Sequence, residues 1–332
     1  MMKLERTLVV MICGVFFIVG RSYLNAQGCC TPGTSSLYGA ERGIAQYRTL
    51  NASLAYQYNF ANRAYQGLQQ VDDLLRRTAS VQSLNIELEY GLADRVSLLM
   101  LGSYVWKSRE FTTSSAVGSG SQTTTFNTNG VGDVTLLGKY AVIRPTITSP
   151  FEVSIGLGAK LPTGSYTQEL DGTRYPIDLQ PGTGGSDLLG WVFVARSYPA
   201  QQLSFYGSFL YRYAGSNPDG YKVGNEWIAS LGAEYSIVEW FQLSLQLRGR
   251  SAGEDFASGR FLPSTGGQMY AVLPGVIYRE GNVAVGMYSL LPFYRNLPGT
   301  QVSLNYLVGI GMQSFFDFRG SPEPQVEGKN SK

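Results

Sequence analysis

The chain of 332 residues contains no histidine. Histidine is the commonest general base and transition-metal ligand, so Ser-His and Cys-His hydrolases and histidine-built metal sites are excluded. Charge is also scarce, at 15% of residues against about 25% in an ordinary soluble domain. Beyond Leu8–Gly20 and its surroundings no run of 18 apolar residues occurs, which leaves no candidate transmembrane helix. Cysteine is limited to Cys13 and the neighbours Cys29 and Cys30, and two adjacent thiols cannot staple a fold. No G-x-S-x-G elbow is present, and the segment from Gly132 to Lys139 misses the phosphate-loop spacing by one residue. No catalytic constellation, cofactor site or metal site is therefore expected.

What the chain does have is a β composition: 22 Tyr, 16 Phe and 40 Gly, with a mean hydropathy of −0.06. Such a mixture suits strands that face lipid on one side and water on the other. Residues 1–26 read as a secretory signal, with a basic start at Lys3 and Arg6, the uncharged run Leu8–Gly20 and a small residue at Ala26. Removing it takes Lys3, Arg6, Arg21 and Glu5, and the remainder has a formal charge of zero. A nucleic-acid partner, which needs a basic surface, is not expected. Cys29 follows Ala26-Gln-Gly in a degenerate lipoprotein cleavage box. The Cys29/Cys30 pair stays open between free thiols, an intermolecular or strained vicinal disulfide and an acylated Cys29.

From residue 49 onward period-2 alternation dominates. Leu50, Ala52, Leu54, Tyr56, Tyr58 and Phe60 alternate with Asn51, Ser53, Gln57 and Asn59. Likewise Leu84, Ile86, Leu88, Tyr90 and Leu92 alternate with Ser83, Asn85, Glu87 and Glu89. Successive strand side chains point to opposite faces, so one face is apolar and the other wet. Twelve such blocks follow: 49–60, 81–92, 95–106, 132–143, 151–161, 186–198, 202–213, 226–236, 240–250, 267–279, 282–292 and 301–316. Those at 95–106, 186–198 and 267–292 alternate less cleanly. Short and long connections alternate along the chain, as in outer-membrane barrels with short periplasmic turns and long extracellular loops. Two groups of aromatics, with Trp106, Tyr211 and Trp227 in one and Tyr90, Tyr140 and Trp240 in the other, fit two interfacial girdles.

The expected fold is thus all-β, a transmembrane antiparallel barrel of about 12 strands over residues 49–318, in the bacterial outer membrane. Residues 27–48 would form an N-terminal segment long enough for a small plug. Residues 319–332 read as a polar, disordered periplasmic tail. The aromatic end Phe315, Phe316 and Phe318 resembles the signal by which barrels engage the assembly machinery, which makes that machinery and outer-membrane lipid the expected partners. In the first long loop, Leu68, Val71, Leu74 and Leu75 share one side of a possible short helix, with Asp72/Arg76 and Asp73/Arg77 at i,i+4.

Charges on the wet faces must avoid lipid and are the candidate lumen lining: Glu87, Glu89, Asp133, Lys139, Glu152, Lys160, Arg212, Glu226, Glu234, Arg248 and Arg250. They form either a structural network of opposite charges or a polar constriction that selects solutes. Twelve strands lie between packed eight-stranded barrels and open porins, so a narrow or plugged lumen is expected.

Four segments occur in a characteristic order: Gly130-Val-Gly-Asp-Val134, Gly158-Ala-Lys-Leu-Pro-Thr-Gly164, Asp178-Leu-Gln-Pro-Gly-Thr-Gly184 and Leu291-Pro-Phe-Tyr-Arg295 with Gly299-Thr-Gln301. Together they resemble the outer-membrane transporter family named after the meta-pathway of phenol degradation. That family is distantly similar to long-chain fatty-acid and aromatic-hydrocarbon channels. The resemblance spans about residues 45–316 and implies passive passage of small hydrophobic or amphipathic solutes. The alternative is a structural or interaction barrel without transport.

Overall fold

The structure, a computed structural model, describes residues 42–114, 121–146 and 148–319. The expected signal, Cys29 and Cys30, most of the N-terminal segment and nearly all of the C-terminal tail lie outside the described residues.

Eleven strands form one closed antiparallel sheet: β1 (Thr49–Gly67), β2 (Thr78–Ala93), β3 (Val96–Ser114), β4 (Val134–Ile143), β5 (Phe151–Leu161), β6 (Asp187–Tyr198), β7 (Leu203–Tyr213), β8 (Glu226–Val238), β9 (Phe241–Ala252), β10 (Gly267–Glu280) and β11 (Val283–Asp317). Each pairs with its sequence neighbour, and β11 pairs back onto β1 from Thr49↔Asp317 to Gly67↔Leu297. A ring of purely antiparallel neighbours needs an even number of passes. β11 supplies the extra one. Its residues 283–296 pair with β10, whereas residues 297–317 pair with β1. The chain reverses between these arms beside Gly299, and Phe315 N donates to Asn282 O across their base. The barrel therefore crosses twelve times, with the expected blocks 282–292 and 301–316 joined in one continuous strand.

Closure satisfies every strand neighbour and leaves no edge, the requirement for sheet in lipid. The outward face carries the apolar half of each alternation: Leu54, Ile86, Leu98, Ile155, Leu157, Val192, Phe209, Leu231, Leu245 and Val308 are all exposed. No helix among the described residues is long and apolar enough to cross a membrane; here the strands cross.

Two expectations are corrected. The first long loop holds no helix. Gln69–Val71 turns back and pairs with Ala64–Gln66 of β1, and Leu74 is 90% exposed. A helix so short would have had no surface against which to bury its apolar side. The Asp73–Arg77 pair does form, at 3.0 Å, but across a turn. Second, the stretch 107–131 is not a plain loop. β3 runs on to Ser114 and pairs with the strand Ser121–Val131, which raises a two-stranded arm above the barrel rim. Its alternation was hidden because both faces carry polar residues: one is open to water, and the other, with Lys107, Arg109 and Thr128, is buried against residues 178–180.

The irregular blocks also have a reason. β3, β6 and β10 place apolar residues inward as well as outward. Leu99, Leu101, Leu137, Leu189, Trp191, Phe193, Leu210 and Ile228 form one buried cluster on β3, β4, β6, β7 and β8. Met269, Ala271, Leu273, Leu290, Leu304 and Leu307 form a second on β10 and both arms of β11. In a ring of twelve passes these patches lie on opposite walls. Between them run two polar walls, Gln246, Arg248 and Arg250 on β9 and Gln57, Asn85, Glu87 and Glu89 on β1 and β2.

Candidate functional site

At the end of the barrel that carries the long connections, six charges from consecutive strands alternate in sign: Asp133, Lys160, Asp187, Arg212, Glu226 and Arg250. Lys160 Nζ lies 2.9 Å from Asp133 Oδ2 and 3.2 Å from Asp187 Oδ2. Arg212 reaches Asp187 at 3.2 Å and Glu226 at 2.9 Å, and Arg250 closes on the other Glu226 oxygen. Register explains the ladder, since Lys160 faces Asp187 and Arg212 faces Glu226 directly across the sheet. Three positive and three negative groups sum to zero. Every member has an opposite-sign neighbour, which buried charges require.

The ladder also holds a loop. Asp133 sits just ahead of β4 and accepts from Gly164 N (3.0 Å), Thr183 N (3.0 Å) and Thr183 Oγ1 (3.0 Å), besides Lys160. The connection 162–186 is thereby folded inward over the mouth. Lys107 Nζ donates to the Asp178 and Gln180 carbonyls at 2.7 and 2.6 Å, Arg109 pairs with Asp178, and Thr128 donates to the Leu179 carbonyl. Gln180 is buried and bonds back to Gln168 and Tyr175. Gly164 and Gly182 meet backbone to backbone, so a side chain at either would strike the other. Three separate sequence motifs thus converge on one carboxylate.

Above the ladder lies a vestibule of about 650 Å³. Its lining includes Tyr166, Arg174, Tyr175 and Tyr221, with Arg212 and Arg250 of the ladder below. Tyr221 donates to Asp255 at 2.5 Å. Burial, followed by the adjacent Asp255 carboxylate, raises its hydroxyl well above the ordinary tyrosine range, so it stays a neutral donor.

Four of the remaining candidates gather at the opposite end. Lys139, fully buried, lies 3.2 Å from Glu89 and 4.9 Å from the centre of the Trp191 ring. Glu89 accepts from Ser97 Oγ at 2.5 Å, and Glu152 from Ser154 Oγ at 2.8 Å. Glu87 accepts from Ser53 at 3.4 Å. Glu234 and Arg248 also stand on inward faces, opposite Ser244 and Ser230 respectively. The sequence reading missed Asp187, Lys107, Arg109 and Thr183. Asp187 opens an irregular block, while Lys107 and Arg109 fell in a stretch read as loop.

Fold, apolar outer surface and charged interior define an outer-membrane β-barrel. The chain belongs to the family described as MetA-pathway of phenol degradation, whose model matches residues 98–294. Among solved structures, the COG4313 outer membrane channel from Pseudomonas putida F1 superposes with a TM-score of 0.63 at 16% identity, over 82% of this chain and 97% of that one. The CymD monoaromatic hydrocarbon channel gives 0.43 at 11% identity, over 91% and 96%. A Pseudomonas aeruginosa FadL homologue gives 0.39 at 12%, over 90% and 100%. No curated protein matches the chain.

Proposed function

We propose that the protein is a non-enzymatic channel admitting small, uncharged hydrophobic or amphipathic solutes by diffusion. One observation carries the reading: below a charge ladder that sums to zero, two apolar patches face each other across the lumen. A selective ion pore needs a ring of one charge sign or an uncompensated field. Here the paired charges provide neither, and leucine, tryptophan and phenylalanine side chains offer apolar contact inside the barrel. Membership of the transporter family and the shared fold of the Pseudomonas putida channel support the same reading. Of the eleven candidate lining residues, five form a mouth set and four an exit set, and these act through the wall and loops rather than as binding groups for an ion.

The reading is tested in proteoliposomes with solutes of matched size, one neutral and ring-bearing, one anionic and one cationic. Faster entry of the neutral solute is expected. Equal or faster entry of either ion would overturn the selectivity.

A further inference from the structure

The described chain begins inside the barrel. Residues 42–46, immediately ahead of β1, run across the exit end of the lumen, and their backbone is held by wall side chains. Ile44 N donates to Glu152 Oε1 and Ala45 N to Glu89 Oε1, both at 3.1 Å. The carbonyls of Arg42 and Gly43 both accept from Lys139 Nζ at 3.2 Å. The Arg42 guanidinium donates to Gln313. These partners stand on β2, β4, β5 and the second arm of β11, so the segment reaches nearly half the circumference. Ala45 is only 2% exposed, and Arg42 and Glu87 line the small spaces left beside it.

The fit is close as well as polar. A side chain at Gly43 would overlap the Glu152 carboxylate, and one at Gly91 would overlap the Gln46 carbonyl. Tyr47 bridges to Gly91, and Arg48 N donates to Gly91 O at 2.8 Å, which fixes the direction in which the segment leaves the wall. Glu89, Lys139 and Glu152 therefore make a clamp for one backbone atom on each of four successive residues: two acceptors for N–H groups and one three-proton donor for two carbonyls. Hydrogen bonds to charged partners are about twice as strong as neutral ones.

We propose that residues 42–46 are a strap closing the exit of the channel, that Glu89, Lys139 and Glu152 are its clamp, and that solute passage requires the strap to leave the clamp. This closure rests on the channel reading above; the seat of the strap does not. The clamp contacts backbone, so it discriminates the strap by shape, through Gly43, rather than by side-chain identity. It also gives the buried exit charges a task beyond pairing. Lys139 serves Glu89 and the strap together, and Glu152 turns toward the strap rather than toward a wall cation.

The test uses the full chain in a Cys29→Ser/Cys30→Ser background, with Ala45→Cys as a reporter of strap position. Modification by a membrane-impermeant maleimide is followed on the folded barrel in liposomes, beside flux of a small neutral aromatic solute. The reporter is expected to react far more slowly than in the unfolded chain. Gly43→Leu, which leaves the barrel wall untouched, should raise its rate about tenfold or more, as loss of one charge-assisted hydrogen bond does, and should raise flux with it. Lys139→Met, checked for heat-modifiable migration, should do the same from the wall side. Rapid modification in the parent, or no change with Gly43→Leu, would overturn the seat. Faster modification with unchanged, measurable flux would overturn the closure. Faster modification with no flux in any variant would contradict the channel reading and the closure together, leaving only the seat.

Discussion

Asp133 is the residue on which the mouth depends. One carboxylate accepts from two backbone amides, a hydroxyl and a lysine, all buried or nearly so. Asp133→Ala would leave those donors without their partner, although Lys160 keeps Asp187. Breaking a buried pair of this kind costs about 3–5 kcal/mol. The expected outcome is a lower temperature of gel-shift unfolding, with protease cleavage in 162–186 on the intact barrel; a loop as resistant as the parent's would contradict its anchoring by Asp133. Tyr221 gives a second test at this scale. Its raised pKa means that the folded state holds the proton more tightly than the unfolded state. The stability this adds is complete below about pH 10, the ordinary tyrosine value, and is lost as pH rises through the higher folded value. Ultraviolet titration of the folded barrel against Tyr221→Phe should show one fewer late-titrating phenol in the variant. An identical titration would mean that the Asp255 contact does not hold the proton.

At the scale of single strands, register is the testable quantity. Leu54 is 42% exposed on the outer face of β1, whereas Ser53 points inward, its hydroxyl 3.4 Å from Glu87. Leu54→Arg should impair assembly by about 2–4 kcal/mol if the residue lies near the bilayer midplane. Ser53→Arg, placed beside the Glu87 carboxylate, should assemble. Comparable assembly of both, measured as heat-modifiable protein in the outer-membrane fraction, would invalidate the facing of β1. Strands such as β1, β2 and β9 were legible in the sequence because their inner faces are polar and their outer faces apolar. β6 was harder to read. Leu189, Trp191 and Phe193 are apolar yet point inward, so period-2 contrast vanishes where the lumen itself is apolar. The arm of β3 and Ser121–Val131 was illegible for the opposite reason, since both faces are polar, the buried one carrying Lys107, Arg109 and Thr128.

Across the whole molecule, the sequence located the charges but not their partners. Glu87, Glu89, Lys139 and Glu152 lie at one end and Asp133, Lys160, Arg212, Glu226 and Arg250 at the other because strand direction alternates, which the connection lengths already indicated. Which charges touch depends on register between strands far apart in sequence, and on the fold of 162–186, neither of which composition or alternation contains. The resulting barrel is charged at both ends and apolar on two facing walls between them. A balanced ladder gives no net field to attract ions, so on the proposed channel reading solute choice would fall to the apolar walls and to the two chain segments across the openings. The most direct measurement is entry of matched neutral, anionic and cationic solutes into liposomes containing the folded wild-type protein. The account predicts entry above the protein-free rate with the neutral ring-bearing solute fastest; entry no faster than through bare lipid for all three, from a correctly folded barrel, would contradict it.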